Sequence, residues 1–256
     1  MQSSIEAVLD LRLLILDTWL ESQEGHVPSS YSILDILYIL YSERIWSPAK
    51  PDNSDEFILS KGHASLGLYA VLSKFGFFTP EKLADFGNHN SFLGGHPDRN
   101  KCPGVFASTG SLGHGLPIAV GNCMANTISG KPTRTYVLVG DGELNEGTNW
   151  ESLMIANQFN VTNLTVIVDF NHSTKNAVEV NNLENKLEAF GLKTIQVNGH
   201  SHTEIAQAIN GNPKTANAII AHTVKGKGIK DLEDNPTWHH SALSQKDYRE
   251  FRAQLK

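Results

Sequence analysis

The sequence predicts an α/β fold, a mostly parallel sheet with helices on both faces. Two observations carry that expectation. Short, largely apolar runs recur through the second half of the chain, at Thr135-Tyr-Val-Leu-Val139, Leu164-Thr-Val-Ile-Val168, Ile195–Val197 and Ala218-Ile-Ile-Ala221. Helical stretches separate them, at Thr148 to Phe159, about Leu183 to Phe190, and Thr203 to Ile209. Strands that alternate with helices pair in parallel through right-handed crossovers, and the helices cover both faces of the sheet.

The first third reads as helical, over roughly 3–22, then 31–43, then from about His63 to Lys74. Ile33, Leu34, Ile36, Leu37, Ile39 and Leu40 make an apolar helix face nearly wide enough for full burial. Thr79-Pro80-Glu81 has the pattern of an N-cap followed by Pro at the first helical position. From Asn88 to Gly113 the chain is rich in Gly, Pro, Asn and His without periodicity, and a loop of that length in a compact domain points to function.

No repeat, low-complexity tract or linker divides the 256 residues, so 1–256 is expected to form a single domain. The net charge of −6 comes without any Lys/Arg-rich run, which argues against nucleic acid or an anionic membrane as partner. Cys102 and Cys123 have no metal-binding spacing and read as two reduced thiols. The apolar N-terminus carries Glu6, Asp10, Arg12 and Asp17, as an amphipathic helix does and a signal peptide or membrane span does not. A cytoplasmic location is expected.

In a parallel sheet ligands bind beyond the carboxyl ends of the strands. There the run ending at Val139 leads into Gly140-Asp141-Gly142-Glu143-Leu144-Asn145-Glu146-Gly147, and the next run leads into Asp169-Phe170-Asn171. Asp141 and Asn171 are 171 − 141 = 30 residues apart, the length of one βαβ unit, so their side chains are expected to be neighbours. A carboxylate and an amide oxygen make a hard, all-oxygen set suited to Mg²⁺ or Ca²⁺, with phosphate oxygens completing the shell. Gly140 and Gly142 allow close approach to a diphosphate, and the next helix turns its N-terminus to it. No GxGxxG follows an N-terminal strand, which sets aside a dinucleotide site.

GDG followed about thirty residues later by Asn resembles the thiamine-diphosphate fingerprint, and GDGELNEGTNWESLMIANQFNVTNLTVIVDFN resembles the transketolase branch. The resemblance covers about residues 5–250 and implies the thiamine-diphosphate-binding fold, specifically its diphosphate-binding domain. It implies that Asp141 and Asn171 ligate the metal by side chain and Ser173 by its carbonyl. Glu146 would belong to a carboxylate network that links cofactors across a subunit interface. Phe170 departs from the Asp or Asn of many relatives, but it stands at a position that is not a metal ligand.

Several of the eleven histidines lie beside glycines, in Gly25-His26, Ser60-Lys-Gly-His63, Gly94-Gly-His-Pro97 and Thr109-Gly-Ser-Leu-Gly-His-Gly115, and His239 follows Trp238. Imidazoles that titrate near neutrality suit a ketol transfer, which makes and collapses alkoxides. SKGHASLGLY, GGHPD and TGSLGHG resemble the transketolase loops around the cofactor. On that resemblance His63 touches the diphosphate, His26, His96 and His239 face the substrate, and Gly110 and Leu112 meet the cofactor through backbone. His114 stands where many relatives have Gln and is assigned to the cofactor pocket. Either His239 or His240 is the substrate-facing residue. Lys225-Gly-Lys-Gly228 reads equally as a solvated turn or as a loop that closes the site.

The resemblance reaches only the first of the family's three domains. The glutamate that activates the cofactor belongs to a pyrimidine-binding domain, so a partner chain carrying that domain and the C-terminal domain is implied, in a two-plus-two assembly. The activity implied is a two-carbon ketol transfer between a ketose and an aldose. Deoxyxylulose-phosphate synthase, a 2-oxo-acid dehydrogenase component, and an idle binding subunit with the same fold are the alternatives.

Overall fold

The computed structural model describes residues 3–174, 178–211, 215–239 and 241–255. Within them, strands β1 (Glu56–Leu59), β2 (Thr135–Gly140), β3 (Leu164–Phe170), β4 (Lys193–Asn198) and β5 (Asn217–His222) form one sheet. Every pairing is parallel, in the order β1-β2-β3-β5-β4. The helices are α1 (Ser4–Ser22), α2 (Val27–Glu43), α3 (Ser65–Lys74), α4 (Gly115–Ile128), α5 (Gly147–Gln158), α6 (Leu183–Ala189), α7 (His202–Ile209) and α8 (Gln245–Gln254).

Successive strand residues face opposite ways, and this parity divides the core in two. Tyr136 and Leu138 of β2 join Ile167, Ile219 and Ala221 in a cluster with α1, α2, α3, α7 and α8. Val137 and Val139 join Val166, Val168, Ala218 and Ile220 in a second cluster with α4, α5 and α6. The expected helices on both faces are thus present. Ile33, Leu34, Ile36, Leu37 and Leu40 of α2 are all buried, and each contributes roughly 1.5–3 kcal/mol by leaving water. Ahead of α1, Ser3 and Glu6 close a capping box: Ser3 Oγ accepts from Glu6 N at 3.2 Å and Glu6 Oε2 from Ser3 N at 2.9 Å.

The differences from expectation have local causes. Helix α2 starts at Val27, a turn before 31, because Pro28 is tolerated in a first turn. Thr79 does hold the N-cap position, but its side chain makes no capping bond, and a short 3₁₀ segment over Pro80–Asp85 follows. Strand β1 and helix α4 escaped the sequence pattern altogether. The first has only four residues, and the second carries Pro117 and Gly121.

At the amino end of the sheet Arg134 is buried and staples three strands. It donates to Leu164 O at 2.9 Å, Thr165 Oγ1 at 3.0 Å and Asn217 Oδ1 at 3.1 Å through Nη1, and to Thr162 O at 2.9 Å through Nη2. Cys102 and Cys123 are free and buried. No described helix is long and apolar enough to cross a membrane.

Candidate functional site

The parallel register of β2 and β3 pairs Gly140 with Asp169, so the chain leaves both strands at one level. Asp141 and Asn171 therefore meet, as their spacing requires, and both are buried. Ser173 joins them. Its N–H donates to Asp141 Oδ2 at 2.9 Å and to Asn171 Oδ1 at 3.1 Å, and its hydroxyl donates to Asp141 Oδ1 at 2.6 Å. Gly142 N–H donates to Asp141 Oδ1 at 2.8 Å.

Asn171 is oriented from behind. Its Nδ2 donates to Asp169 Oδ2 at 3.0 Å and to Ser32 Oγ at 3.1 Å, which leaves Oδ1 turned toward Ser173. Asp169 is fully buried and balanced by Lys61, whose Nζ lies 2.5 Å from Oδ2. Asp169 Oδ1 accepts from Ser32 Oγ at 2.7 Å and also from Thr223 Oγ1. A charge so deeply buried persists only when paired and hydrogen-bonded.

A second buried carboxylate, Glu143, ties three loops together. It accepts from Ser60 Oγ at 2.5 Å, Gly113 N at 2.9 Å and Gly140 N at 3.2 Å. Burial raises its pKa against the pull of those donors. The loops also touch at Gly62, where a Cβ would lie 2.9 Å from Thr109 Oγ1 and 3.1 Å from Gly110 N. Gly113 has φ +79 and packs against Glu146 and Thr148, a conformation that glycine alone adopts freely.

Three of the expected histidines form one cluster. The ring of His26 lies 5.3 Å from that of His63 and 5.1 Å from that of His239, and the rings of His63 and His239 are 6.3 Å apart. Burial, then Lys61, His26, Lys225 and His239, push the His63 pKa down to about 2, so its imidazole is neutral at physiological pH. His239 lies 3.0 Å from Lys225 Nζ through Nδ1. His240 lies outside the described residues.

A cleft of 590 Å³ joins the two halves of the site. Asn171 and Ser173 line it on one side, and Lys225, Asp234, Asn235 and His239 on the other. Lys225 is half-buried. Burial, and after it Lys61, lowers its pKa, against the attraction of Asp169, Asp141 and Asp234. Lys225 thus faces the cleft.

The remaining expected residues lie around this centre. His96 is exposed and packs its ring against Gly110, where a Cβ would lie 3.3 Å from the imidazole. Leu112 and His114 are exposed, and His114 Nδ1 lies 3.0 Å from Leu112 O. Glu146 is exposed at the head of α5 and does not line the cleft. Sequence reasoning missed Glu143, Lys61, Asp169, Ser32 and Thr223. A signal existed for two of them: Glu143 follows Asp141 in GDGEL, and Lys61 precedes His63 in SKGH.

The residues suit a metal-bound diphosphate. Asp141 and Asn171 offer hard oxygens of the kind Mg²⁺ and Ca²⁺ prefer. Here Asp141 stands beside the neutral oxygens of Asn171 and Ser173. Lys61 and Lys225 bring positive charge. Ser29, in the first turn of α2 just past His26, has a buried hydroxyl with no hydrogen-bond partner among the described residues.

Residues 3–256 match the family model described as transketolase, thiamine diphosphate binding domain. The chain is 35% identical over 242 residues to an apulose-4-phosphate transketolase subunit from Phocaeicola vulgatus, covering 90% of this chain and 85% of that one. It is 38% identical over 229 residues to the protein of the same name from Actinobacillus succinogenes, covering 84% and 82%. The transketolase structure from Leishmania mexicana superposes with a TM-score of 0.89 at 26% identity, over 100% of this chain and 41% of that one. The chain thus spans about two fifths of that longer transketolase. Buried carboxylates, loop glycines and clustered imidazoles agree with the match, and the chain belongs to the family of transketolase thiamine-diphosphate-binding domains.

Proposed function

We propose that this chain is the diphosphate-binding subunit of a split transketolase. With Mg²⁺ and thiamine diphosphate, and joined to a partner chain that carries the pyrimidine-binding and C-terminal domains, it transfers a two-carbon ketol unit from a ketose to an aldose. The observation that carries this is that Asn171 and Ser173, the latter hydrogen-bonded to Asp141, share one cleft with Lys225 and His239. The two bacterial relatives are named as transketolase subunits and are matched over most of their length, which supports a chain that works with another.

Asp141, Asn171 and Ser173 would hold the metal, with Lys61 and Lys225 offsetting the charge of the diphosphate. Ser29 Oγ and the neutral His63 would add hydrogen bonds. The bound cofactor supplies the carbanion chemistry, and the protein supplies orientation and proton management. His26 and His239 would take protons from substrate hydroxyls and return them. His96, Gly110, Leu112 and His114 would complete the rim of the pocket.

The side bearing Leu112 and Glu146 is the one we assign to the partner. Helices α4 and α5, which follow Leu112 and Glu146 in the chain, expose Ile118, Met154 and Ile155, apolar side chains that such a contact would cover. Glu146, exposed on this chain, would become buried in that contact, within a two-plus-two assembly. A cytoplasmic location accords with the free thiols.

The test is to purify the chain alone and together with the product of the adjacent gene. Each preparation is supplied with Mg²⁺ and thiamine diphosphate and assayed against a panel of ketose donors. Turnover is expected only from the pair. Robust ketol transfer by the chain alone overturns the split assignment, and pyruvate turnover with release of carbon dioxide favours a synthase or dehydrogenase component instead.

A further inference from the structure

A polar cluster outside the cleft fixes the segment that carries Lys225. Asp35, on α2, is buried and accepts from three side chains. Arg12 Nη2 lies 2.6 Å from Oδ2, His200 Nδ1 2.9 Å from Oδ2, and His202 Nε2 2.9 Å from Oδ1. Burial opposes its ionisation, but His200, His202 and Arg12 outweigh that and hold the carboxyl well below the usual range.

The far side of two of these groups grips one stretch of backbone. Val224 N–H donates to His200 Nε2 at 2.9 Å, and Arg12 Nε donates to Lys227 O at 3.1 Å. Gly226 N–H between them donates to Pro28 O, in the first turn of α2, at 2.9 Å. The tautomer of His200 follows from its partners. A backbone N–H can only donate, so Nε2 must accept, and the ring proton sits on Nδ1, where the Asp35 carboxylate takes it. Asp35 thereby holds His200 in the one form that can receive Val224.

We infer that His200, locked by Asp35, is a positioning residue that sets the height of the 224–228 segment and so presents Lys225 to His239 and the cleft. This rests on the cofactor reading only for the ligand that Lys225 meets; the presentation of Lys225 to His239 is a property of the chain itself. His200 does not line the cleft and acts through Val224.

Two substitutions separate the halves of the clamp. In His200→Asn the amide nitrogen can still reach Asp35, but the acceptor for Val224 is lost. In His200→Gln the longer side chain restores an acceptor near the Nε2 position. The first readout needs no cofactor: the ring resonances of His239 in the purified chain, by NMR. Lys225→Met is expected to move them, His200→Asn to move them in the same direction, and His200→Gln to leave them near wild type. Unmoved resonances in His200→Asn, with thermal melting of all variants within a few degrees, overturn the proposal. So does an equal shift in both His200 variants.

The second readout is calorimetric binding of inorganic pyrophosphate with Mg²⁺. His200→Asn is expected to weaken it about tenfold, and the double variant with Lys225→Met to bind no worse than Lys225→Met alone. Additive losses mean that His200 acts generally on the fold and overturn the proposal. If the wild-type chain binds no pyrophosphate, it is the diphosphate assignment that fails, and the His239 resonances alone decide the clamp.

Discussion

Asn171 Nδ2 lies 3.0 Å from Asp169 Oδ2, and that contact decides which end of the amide faces the diphosphate motif. An amide has two nearly isosteric ends, and only its oxygen can ligate a cation. Asp169 selects the oxygen by occupying the nitrogen.

Asp169→Asn is therefore expected to act twice. It strands the buried Lys61, at a cost of about 3 kcal/mol or more in urea unfolding. It also lets the Asn171 amide turn over, which weakens Mg²⁺-dependent binding of thiamine diphosphate. Unfolding curves and calorimetry check the two effects separately, and unchanged stability would mean that Lys61 finds another partner.

Asp141→Ala removes the one charged oxygen donor of the proposed metal set and two of the three contacts that hold Ser173, leaving the one to Asn171. Metal-dependent binding of thiamine diphosphate is expected to fall by about a hundredfold or beyond detection, since a hard cation loses its anionic ligand. Calorimetry with and without Mg²⁺ measures it, and affinity equal to wild type refutes the assignment.

His26→Ala addresses the histidine cluster. In the assembled enzyme it is expected to slow turnover by about 10²-fold, in the range of a lost general acid or base, with cofactor affinity within about threefold of wild type. Steady-state kinetics and cofactor titration check this. A large loss of affinity would move His26 from the substrate side to the cofactor side.

The depressed pKa of His63 makes stability depend on pH. Its folded value, about 2, lies below the unfolded value of about 6.5. Between the two, the unfolded chain binds a proton that the folded chain refuses. The contribution is thus fully present above about pH 6.5 and falls by about 1.4 kcal/mol per unit as the pH drops below it. His63→Gln is expected to lose that part of the slope in urea unfolding between pH 7 and pH 5. An identical slope in the variant would place the proton elsewhere.

What the sequence disclosed follows the range of each interaction. Asp141 and Asn171 were legible because a βαβ unit fixes the distance between successive strand ends, whatever the side chains between. The shell behind them was not. Ser32, Lys61 and Thr223 reach Asp169 across 137, 108 and 54 residues, from separate elements, and no local pattern encodes such meetings. His26, His63 and His239 could be named from their motifs, yet their common cluster exists only once α2, the end of β1 and the segment after β5 are packed together. The same holds for α4, whose start is fixed by Gly115 N–H donating to Ser60 Oγ at 3.1 Å rather than by a capping side chain of its own.

The stapling by Arg134 has a consequence for how this protein can change. Its carbonyl and hydroxyl partners gather at the amino end of the sheet, while Asp141, Asn171 and the cleft lie at the carboxyl end. Robustness and reactivity are thereby housed at opposite poles of the same strands. Evolution or an engineer can retune the reactive pole for a new substrate while drawing on a foundation at the opposite end of the strands.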